Sequence, residues 1–182
     1  MRTAIYHHRL PLISLLYPLF LMGCRGHQPP PAALATGVPE LDRKLGWVMG
    51  GDTAFAVNAA TAATWTSVHR LDTREREEYD VSHLPGAIWL GYKDPQWDAL
   101  AGISPTDTLL VYCTVGYRSE RIRRELHDRG YPNVYNLYGS IYAWLAAGGV
   151  VVDGTGTPVQ RVHTFSRRWG RYFPTDRIEK VN

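Results

Sequence analysis

The chain has 182 residues, with 20 Lys and Arg against 17 Asp and Glu and a formal net charge of +3. It is 45% hydrophobic and 20% charged, and it contains 17 Gly, 12 Pro and only two Cys. These figures exclude a disulfide-rich scaffold, a disordered acidic or basic tail protein, and a collagen-like or heptad-repeat rod.

The first 23 residues have the pattern of a targeting segment. Arg2 and Arg9 precede a mostly apolar run over residues 10–23, which is shorter than the roughly 20 residues of a membrane-spanning helix. The run ends in Leu-Met-Gly before Cys24, which resembles the bacterial lipobox, where cleavage precedes a Cys that becomes lipid-modified. The sequence predicts a lipoprotein signal peptide over residues 1–23 and lipidation of Cys24. An ordinary signal peptide with an incidental Cys is the alternative.

The expected location is the cell envelope. A lipid on Cys24 would anchor an extracytoplasmic, periplasm-facing protein, and Arg25 after that Cys favours the outer membrane by resemblance to known sorting rules. Beyond residue 23 the basic residues exceed the acidic ones by one, which gives no indication of nucleic-acid binding. Cys113 is then the only free thiol, so no internal disulfide is possible.

The remaining chain alternates strand-like and helical segments, which is typical of an α/β sheet. A Pro- and Ala-rich tether is predicted over residues 24–37, a domain over 38–153 and a C-terminal extension over 154–182. Strands are expected at 68–72, 87–90, 108–112 and 134–137, and helices at 39–49, 119–129 and 140–147; residues 58–64 have no assignment.

The C-terminal extension is basic and aromatic. Residues 161–182 hold six basic and two acidic residues, which favours a solvated face over a docking surface. The aromatic residues of this segment predict that it packs against the domain; they are Phe165, Trp169, Tyr172 and Phe173.

The strongest chemical signal follows the strand at residues 108–112. Cys113 comes at its C-terminal end, the edge at which open α/β sheets bind ligands. Gly116 allows a turn, and the amides of residues 114–118 together with the following helix form an anion-binding nest around the sulfur. Both effects favour the thiolate, so Cys113 is predicted to be a nucleophile. A buried structural thiol is the alternative.

With these residues in view, the chain resembles the rhodanese-like sulfurtransferases over about residues 64–153. The matching segments are 71–75 with Glu78 and Tyr79, 82–87, 113–119, 130–134 and 137–144. The resemblance implies a parallel five-stranded sheet flanked by helices on both faces, and a Cys113 persulfide that passes a sulfane sulfur from a donor such as thiosulfate to an acceptor. It also implies a small sulfur donor and a thiol, cyanide or protein-thiol acceptor as partners.

The length of the loop distinguishes sulfur transfer from phosphatase chemistry. Cys113 and Arg118 enclose Thr114, Val115, Gly116 and Tyr117, one residue fewer than in the related cell-cycle and tyrosine phosphatases. The smaller ring suits the outer sulfur of a persulfide better than a tetrahedral phosphate. Arg118 is expected either to steer the donor anion or to fix the loop.

Other titratable residues receive structural interpretations. Asp72 and Arg74 border the predicted site and are expected to form an ion pair, and His83 is expected to cap a turn. His69 and His163 have no metal-ligand spacing, so no metal or other cofactor is predicted. Ser82 and Ser140 stand where the family often has Gly, and neither is expected to touch the loop.

Two other functions remain open at this stage. A rhodanese fold without catalysis could bind a partner or sense sulfur species, and a small phosphatase or arsenate reductase could use the same Cys113 loop. Activity assays on sulfur donors and on an aryl phosphate separate these three functions.

Overall fold

The computed structural model describes residues 31–49, 53–173 and 176–182. The predicted signal peptide, Cys24 and the first half of the predicted tether lie outside these residues. Within the described ranges, no helix combines the length and the hydropathy that crossing a membrane requires.

The described chain folds into six helices and nine strands, with short 3₁₀ turns at Ala32–Leu34 and Trp97–Leu100. In chain order the elements are α1 (Pro39–Val48), β1 (Ala56–Val57), α2 (Ala59–Ala63), β2 (His69–Asp72), α3 (Arg76–Val81), β3 (Ala87–Trp89), β4 (Leu109–Tyr112), α4 (Tyr117–Asp128), β5 (Val134–Leu137), α5 (Ser140–Ala146), β6 (Val151–Val152), β7 (Pro158–Val159), β8 (Arg161–His163), α6 (Arg167–Gly170) and β9 (Glu179–Val181).

Five strands form one all-parallel sheet in the order β1-β5-β4-β2-β3. The central strand β4 is buried along its whole length because helices cover both faces of a parallel sheet. Leu110 and Tyr112 point into the core beneath α1, α2 and α5, whereas Leu109 and Val111 point into the core beneath α4. The predicted fold class is therefore confirmed.

The seven predicted elements occur within one or two residues of their expected bounds, and eight further helices and strands are present in the described residues, among them β1 and α2. Strand β1 has only two residues, and it pairs with β5 through Ala56 opposite Asn136. Helix α2 occupies the segment that had no assignment, and the side chain of Asn58 caps it by accepting the N–H of Thr61 at 2.7 Å. Strand β2 is partly exposed at His69 and Arg70, where polar residues interrupt its apolar pattern.

The C-terminal segment packs on the sheet domain. Strands β8 and β9 pair in parallel, and Ser82 donates its hydroxyl to the carbonyl of Arg161 at 2.7 Å. Phe173 is buried with its ring perpendicular to that of Tyr142, at 4.8 Å between centroids. This contact brings the segment over the end of the sheet where β4 delivers Cys113.

Candidate active site

Cys113 lies directly after β4, at the carboxyl edge of the sheet. Cys113 is 1% exposed, and it lines a pocket that opens towards solvent. The following loop turns at Gly116, whose φ of +116° is a conformation that favours glycine, and α4 begins at the next residue. The loop therefore wraps the sulfur at a helix N-terminus, as the sequence predicts.

The surroundings of the sulfur stabilise its anionic form. Burial alone raises the pKa of the Cys113 thiol, but the charge of Arg118 and the N–H groups of Ser119 and Gly116 outweigh it and lower the pKa below its ordinary value of 9.0. The Gly116 amide donates to Sγ at 3.1 Å. This geometry favours the thiolate without a neighbouring base.

A buried ion pair fixes the loop from one side. Arg118 donates to both carboxylate oxygens of Glu78, at 2.5 and 2.8 Å, and to the hydroxyl of Thr114 at 2.8 Å. The Thr114 hydroxyl in turn donates to Glu78 at 3.0 Å. Glu78 comes from α3 and is 2% exposed. Arg118 therefore holds the loop to α3. Its positive charge also stabilises the Cys113 thiolate, although the guanidinium is already paired with Glu78.

Sequence reasoning missed Glu78 as a site residue. It was part of the family resemblance, but no role was assigned to it. The sequence does contain a signal for Glu78: an arginine at the end of a buried loop needs an acidic partner.

A second polar network supports the back of the loop. The hydroxyl of Ser119 donates to Asn136 Oδ1 at 2.8 Å, and Asn136 Nδ2 donates to the carbonyl of Gly116 at 3.1 Å. Asn136 Nδ2 also lies 3.2 Å from Glu120, which is paired with Arg123 at 2.9 Å. Strand β5 and helix α4 thus fix the turn at Gly116.

Ser140 corrects one expectation. Its hydroxyl accepts the N–H of Cys113 at 3.1 Å and donates to the carbonyl of Leu137 at 3.1 Å, so this residue does contact the loop. Its φ of +49° lies in the left-handed region that a glycine would occupy more easily. The side chain that replaces glycine here ties the nucleophile's backbone to the start of α5.

Asp72 and Arg74 form a fully buried pair beside the site. The guanidinium donates to Asp72 at 2.6 Å and to the carbonyl of Ser82 at 2.6 Å. Neither residue lines the pocket above Cys113. The pair joins β2 to the segment after α3, which is the structural role expected for it.

Neither His83 nor His163 lines the pocket above the sulfur. The His83 ring stacks on Tyr79 at 3.8 Å between centroids, and its Nδ1 lies 3.1 Å from the Tyr79 carbonyl. His163 Nδ1 accepts the N–H of Phe165 at 3.1 Å. The same nitrogen lies 3.9 Å from the Glu78 carboxylate, but both atoms are then hydrogen-bond acceptors and form no hydrogen bond with each other. Burial, followed by the charges of Arg74 and Arg118, lowers the pKa of His163 against the opposing charge of Glu78. Within the described ranges no cluster of His, Cys, Asp and Glu has metal-binding geometry.

A pocket of about 360 Å³ opens above the sulfur. Residues 113–115 with Tyr117 and Arg118 form its floor, and its walls are Trp47, Phe165 and Trp169. The Phe165 ring lies 4.9 Å from the Arg118 guanidinium. The structure therefore brings together the predicted loop residues and adds aromatic walls from α1 and the C-terminal segment.

Comparison with known proteins identifies the family. Residues 58–147 match the model of the rhodanese-like domain. The chain is 34% identical to thiosulfate sulfurtransferase PspE of Escherichia coli, over 39% of this chain and 69% of that protein. It is 30% identical to thiosulfate:glutathione sulfurtransferase of Saccharomyces cerevisiae, over 46% of this chain and 68% of that protein. The chain belongs to the rhodanese-like family.

Other relatives are longer or structurally more distant. The chain spans 23% of the length of tRNA uridine(34) hydroxylase of Bdellovibrio bacteriovorus, to which it is 34% identical over 41% of its own length. The solution structure of the rhodanese-like domain of an Anabaena protein superimposes with a TM-score of 0.50 and 22% identity, over 54% of this chain and 79% of that one. This second likeness concerns the fold alone.

Proposed function

We propose that this protein is a sulfurtransferase that carries a sulfane sulfur on Cys113 as a persulfide. The observation that supports it most directly is the Cys113 sulfur itself. It accepts the Gly116 N–H at 3.1 Å, has a lowered pKa, and lies at the floor of a pocket. These are the requirements for a nucleophile that must be ionised and accessible to a small reagent.

The transfer takes place in two displacements. The Cys113 thiolate attacks the outer sulfur of thiosulfate; a bond forms between the two sulfurs, the donor's S–S bond breaks, and sulfite leaves with the electron pair. The loop amides then stabilise the anionic outer sulfur, as an oxyanion hole stabilises developing charge. An acceptor nucleophile such as cyanide or a thiolate attacks that sulfur, and the Cys113 thiolate leaves.

The contacts of Arg118 support a positioning role. Its guanidinium already donates to Glu78 and Thr114, so it fixes the loop and lowers the pKa of Cys113 through its charge. The same pairing argues against the phosphatase alternative, in which the loop arginine would bind the phosphate oxygens directly.

A direct assay tests the proposal. Purified protein is incubated with thiosulfate or a thiosulfonate, then with cyanide, and thiocyanate is measured. Intact-mass analysis before cyanide is expected to show one added sulfur, about 32 Da, on Cys113. Cys113→Ser is expected to abolish both signals, whereas His83→Ala is expected to keep most of the transfer.

The alternatives predict other results. Absence of both thiocyanate and the added sulfur with every donor would leave a non-catalytic binding or sensing module. Hydrolysis of an aryl phosphate that disappears in Cys113→Ser, without sulfur transfer, would support the phosphatase alternative.

We also propose that the protein is a lipoprotein of the cell envelope, held through Cys24 and facing the periplasm. The support is the sequence of residues 1–24, which lie outside the described structure. Labelling cells with a tagged fatty acid is expected to mark the wild-type protein and not Cys24→Ala. A soluble, unlabelled wild-type protein would contradict it.

A further inference from the structure

We infer that the Cys113 pocket selects an organic donor, an aryl thiosulfonate, over inorganic thiosulfate. The inference rests on the proposed sulfurtransferase function and specifies its substrate class. The step balances as it does for thiosulfate: the Cys113 thiolate attacks the outer sulfur, the S–S bond of the donor breaks, and an aryl sulfinate leaves with the electron pair.

The first support is the origin of the pocket walls. Trp47 belongs to α1, and Phe165 and Trp169 follow the sheet domain, so all three lie outside the family match at residues 58–147. The floor that performs the chemistry lies inside that match. The added segments therefore supply apolar surface directly above the sulfur.

The second support is the way in which Phe165 is held. Its φ is +66°, a left-handed conformation that costs free energy for any residue other than glycine. The preceding Thr164 is fully buried, and the Phe165 N–H donates to His163 at 3.1 Å. The ring remains 51% exposed over Arg118. A strained backbone thus presents an aromatic face to the pocket.

Trp47 adds a second exposed aromatic surface. It is 74% exposed, although large aromatic side chains usually dominate cores and interfaces. Together with Phe165 it gives a planar organic group two surfaces to stack on, while the reacting sulfur reaches Cys113 below.

The third support is charge. Arg118 is the only Lys, Arg, His, Asp or Glu among the described residues that line the pocket, and it is already paired with Glu78. A thiosulfate dianion would exchange its hydration shell for apolar walls and a neutralised cation, which is unfavourable. An aryl thiosulfonate has one negative charge, on the end that approaches the loop amides.

Pocket size agrees with this class of donor. A volume of about 360 Å³ lies at the lower end of the roughly 300–1,000 Å³ of small-molecule sites. Thiosulfate has only five heavy atoms and would leave most of that space unfilled, whereas benzenethiosulfonate has ten and would fill more of it.

The test compares benzenethiosulfonate with thiosulfate in the cyanide assay. Wild-type kcat/KM is expected to be higher for the aryl donor by about tenfold or more. Phe165→Gly removes the ring and suits the positive φ, and it is expected to reduce the ratio of the two kcat/KM values by about fivefold; Trp47→Ala is expected to reduce it similarly.

Phe55→Ala is the matched control. Phe55 also stacks on an arginine of α4, at 4.7 Å from Arg123, and it is 37% exposed, but it does not line the pocket. This variant is expected to keep the wild-type ratio. A Phe55→Ala variant with the same loss as Phe165→Gly would overturn the inference, because the effect would then not be local.

Binding in the absence of turnover gives an independent readout. Trp47 and Trp169 line the pocket, so benzenethiosulfonate is expected to quench tryptophan fluorescence of Cys113→Ser at lower concentration than thiosulfate does.

Equal kcat/KM for the two donors would overturn the inference and leave the proposed function intact. Absence of transfer and of persulfide with both donors would overturn both.

Discussion

Two of the arginines of helix α4 have similar surroundings but different roles. Arg118 pairs with Glu78 and lies beneath Phe165, whereas Arg123 pairs with Glu120 and lies beneath Phe55. The second ion pair is local: Glu120 is three residues from its partner on the same helix.

The first set joins distant parts of the chain. Glu78 comes from α3 and Phe165 from the C-terminal segment, so the Arg118 cluster connects the loop, α3 and the tail. Its charge also lowers the pKa of Cys113. The comparison teaches that a long-range ion pair positions the nucleophile, while the short-range one supports the turn behind it.

Removing each arginine tests this difference and is expected to give the largest effect. Arg118→Met leaves Glu78 buried without its partner, which costs about 3–5 kcal/mol of unfolding free energy. Arg123→Met leaves Glu120 with Arg124 at 3.1 Å, so about 1 kcal/mol is expected. Urea unfolding measures both.

The two variants should also differ at the sulfur. Only Arg118→Met removes the charge that lowers the pKa of Cys113, so its alkylation rate is expected to rise at higher pH than in the wild type. Equal losses of stability, or unchanged alkylation profiles in both variants, would contradict the different roles of the two pairs.

The acid sensitivity of the Glu78–Arg118 pair tests the same comparison, and its expected effect is smaller. Burial raises the pKa of Glu78, but the hydrogen bond and charge of Arg118, with help from Arg74 and the Glu75 N–H, lower it below 4.5. Because the folded-state pKa is below the unfolded one, this stability is present above the unfolded-state pKa and is lost as pH falls through the folded-state pKa.

We therefore expect the wild type to lose unfolding free energy steadily as the pH falls below about 4.5. Glu78→Gln starts lower at neutral pH and should lose less over the same range. Urea midpoints across that range provide the measurement, and parallel curves for the two proteins would show that Glu78 is not the responsible group.

The sequence predicted the features that are determined by residues close together in the chain. Strand β4 is a continuous apolar run buried on both faces, and Cys113, Gly116 and the start of α4 follow it within a few residues. Neighbouring residues therefore define the position of the nucleophile. Strand β1 has only two residues, and its pairing with β5 is what makes it a strand.

The parts that the sequence did not predict are long-range contacts. Glu78 and Arg118 are 40 residues apart, and nothing in the local pattern of α3 requires that pairing. Trp47 and Phe165 line the same pocket because the C-terminal segment folds back over the carboxyl edge of the sheet. The contact between Ser140 and Cys113 likewise depends on where α5 packs. A serine at a position that is often glycine does not indicate that packing.

The two phenylalanines provide the smallest expected difference in stability. Phe55→Ala loses stacking on Arg123 and nearby tilted contacts with Tyr135 and His127, which should cost about 1 kcal/mol. Phe165→Gly loses a similar stack on Arg118, but it relieves the φ of +66°, so the net change is expected to be within about 0.5 kcal/mol. Guanidinium unfolding of both variants measures this difference. A larger loss in Phe165→Gly than in Phe55→Ala would mean that the Phe165 ring holds the tail to the domain, and its strained backbone would then serve stability instead of the pocket.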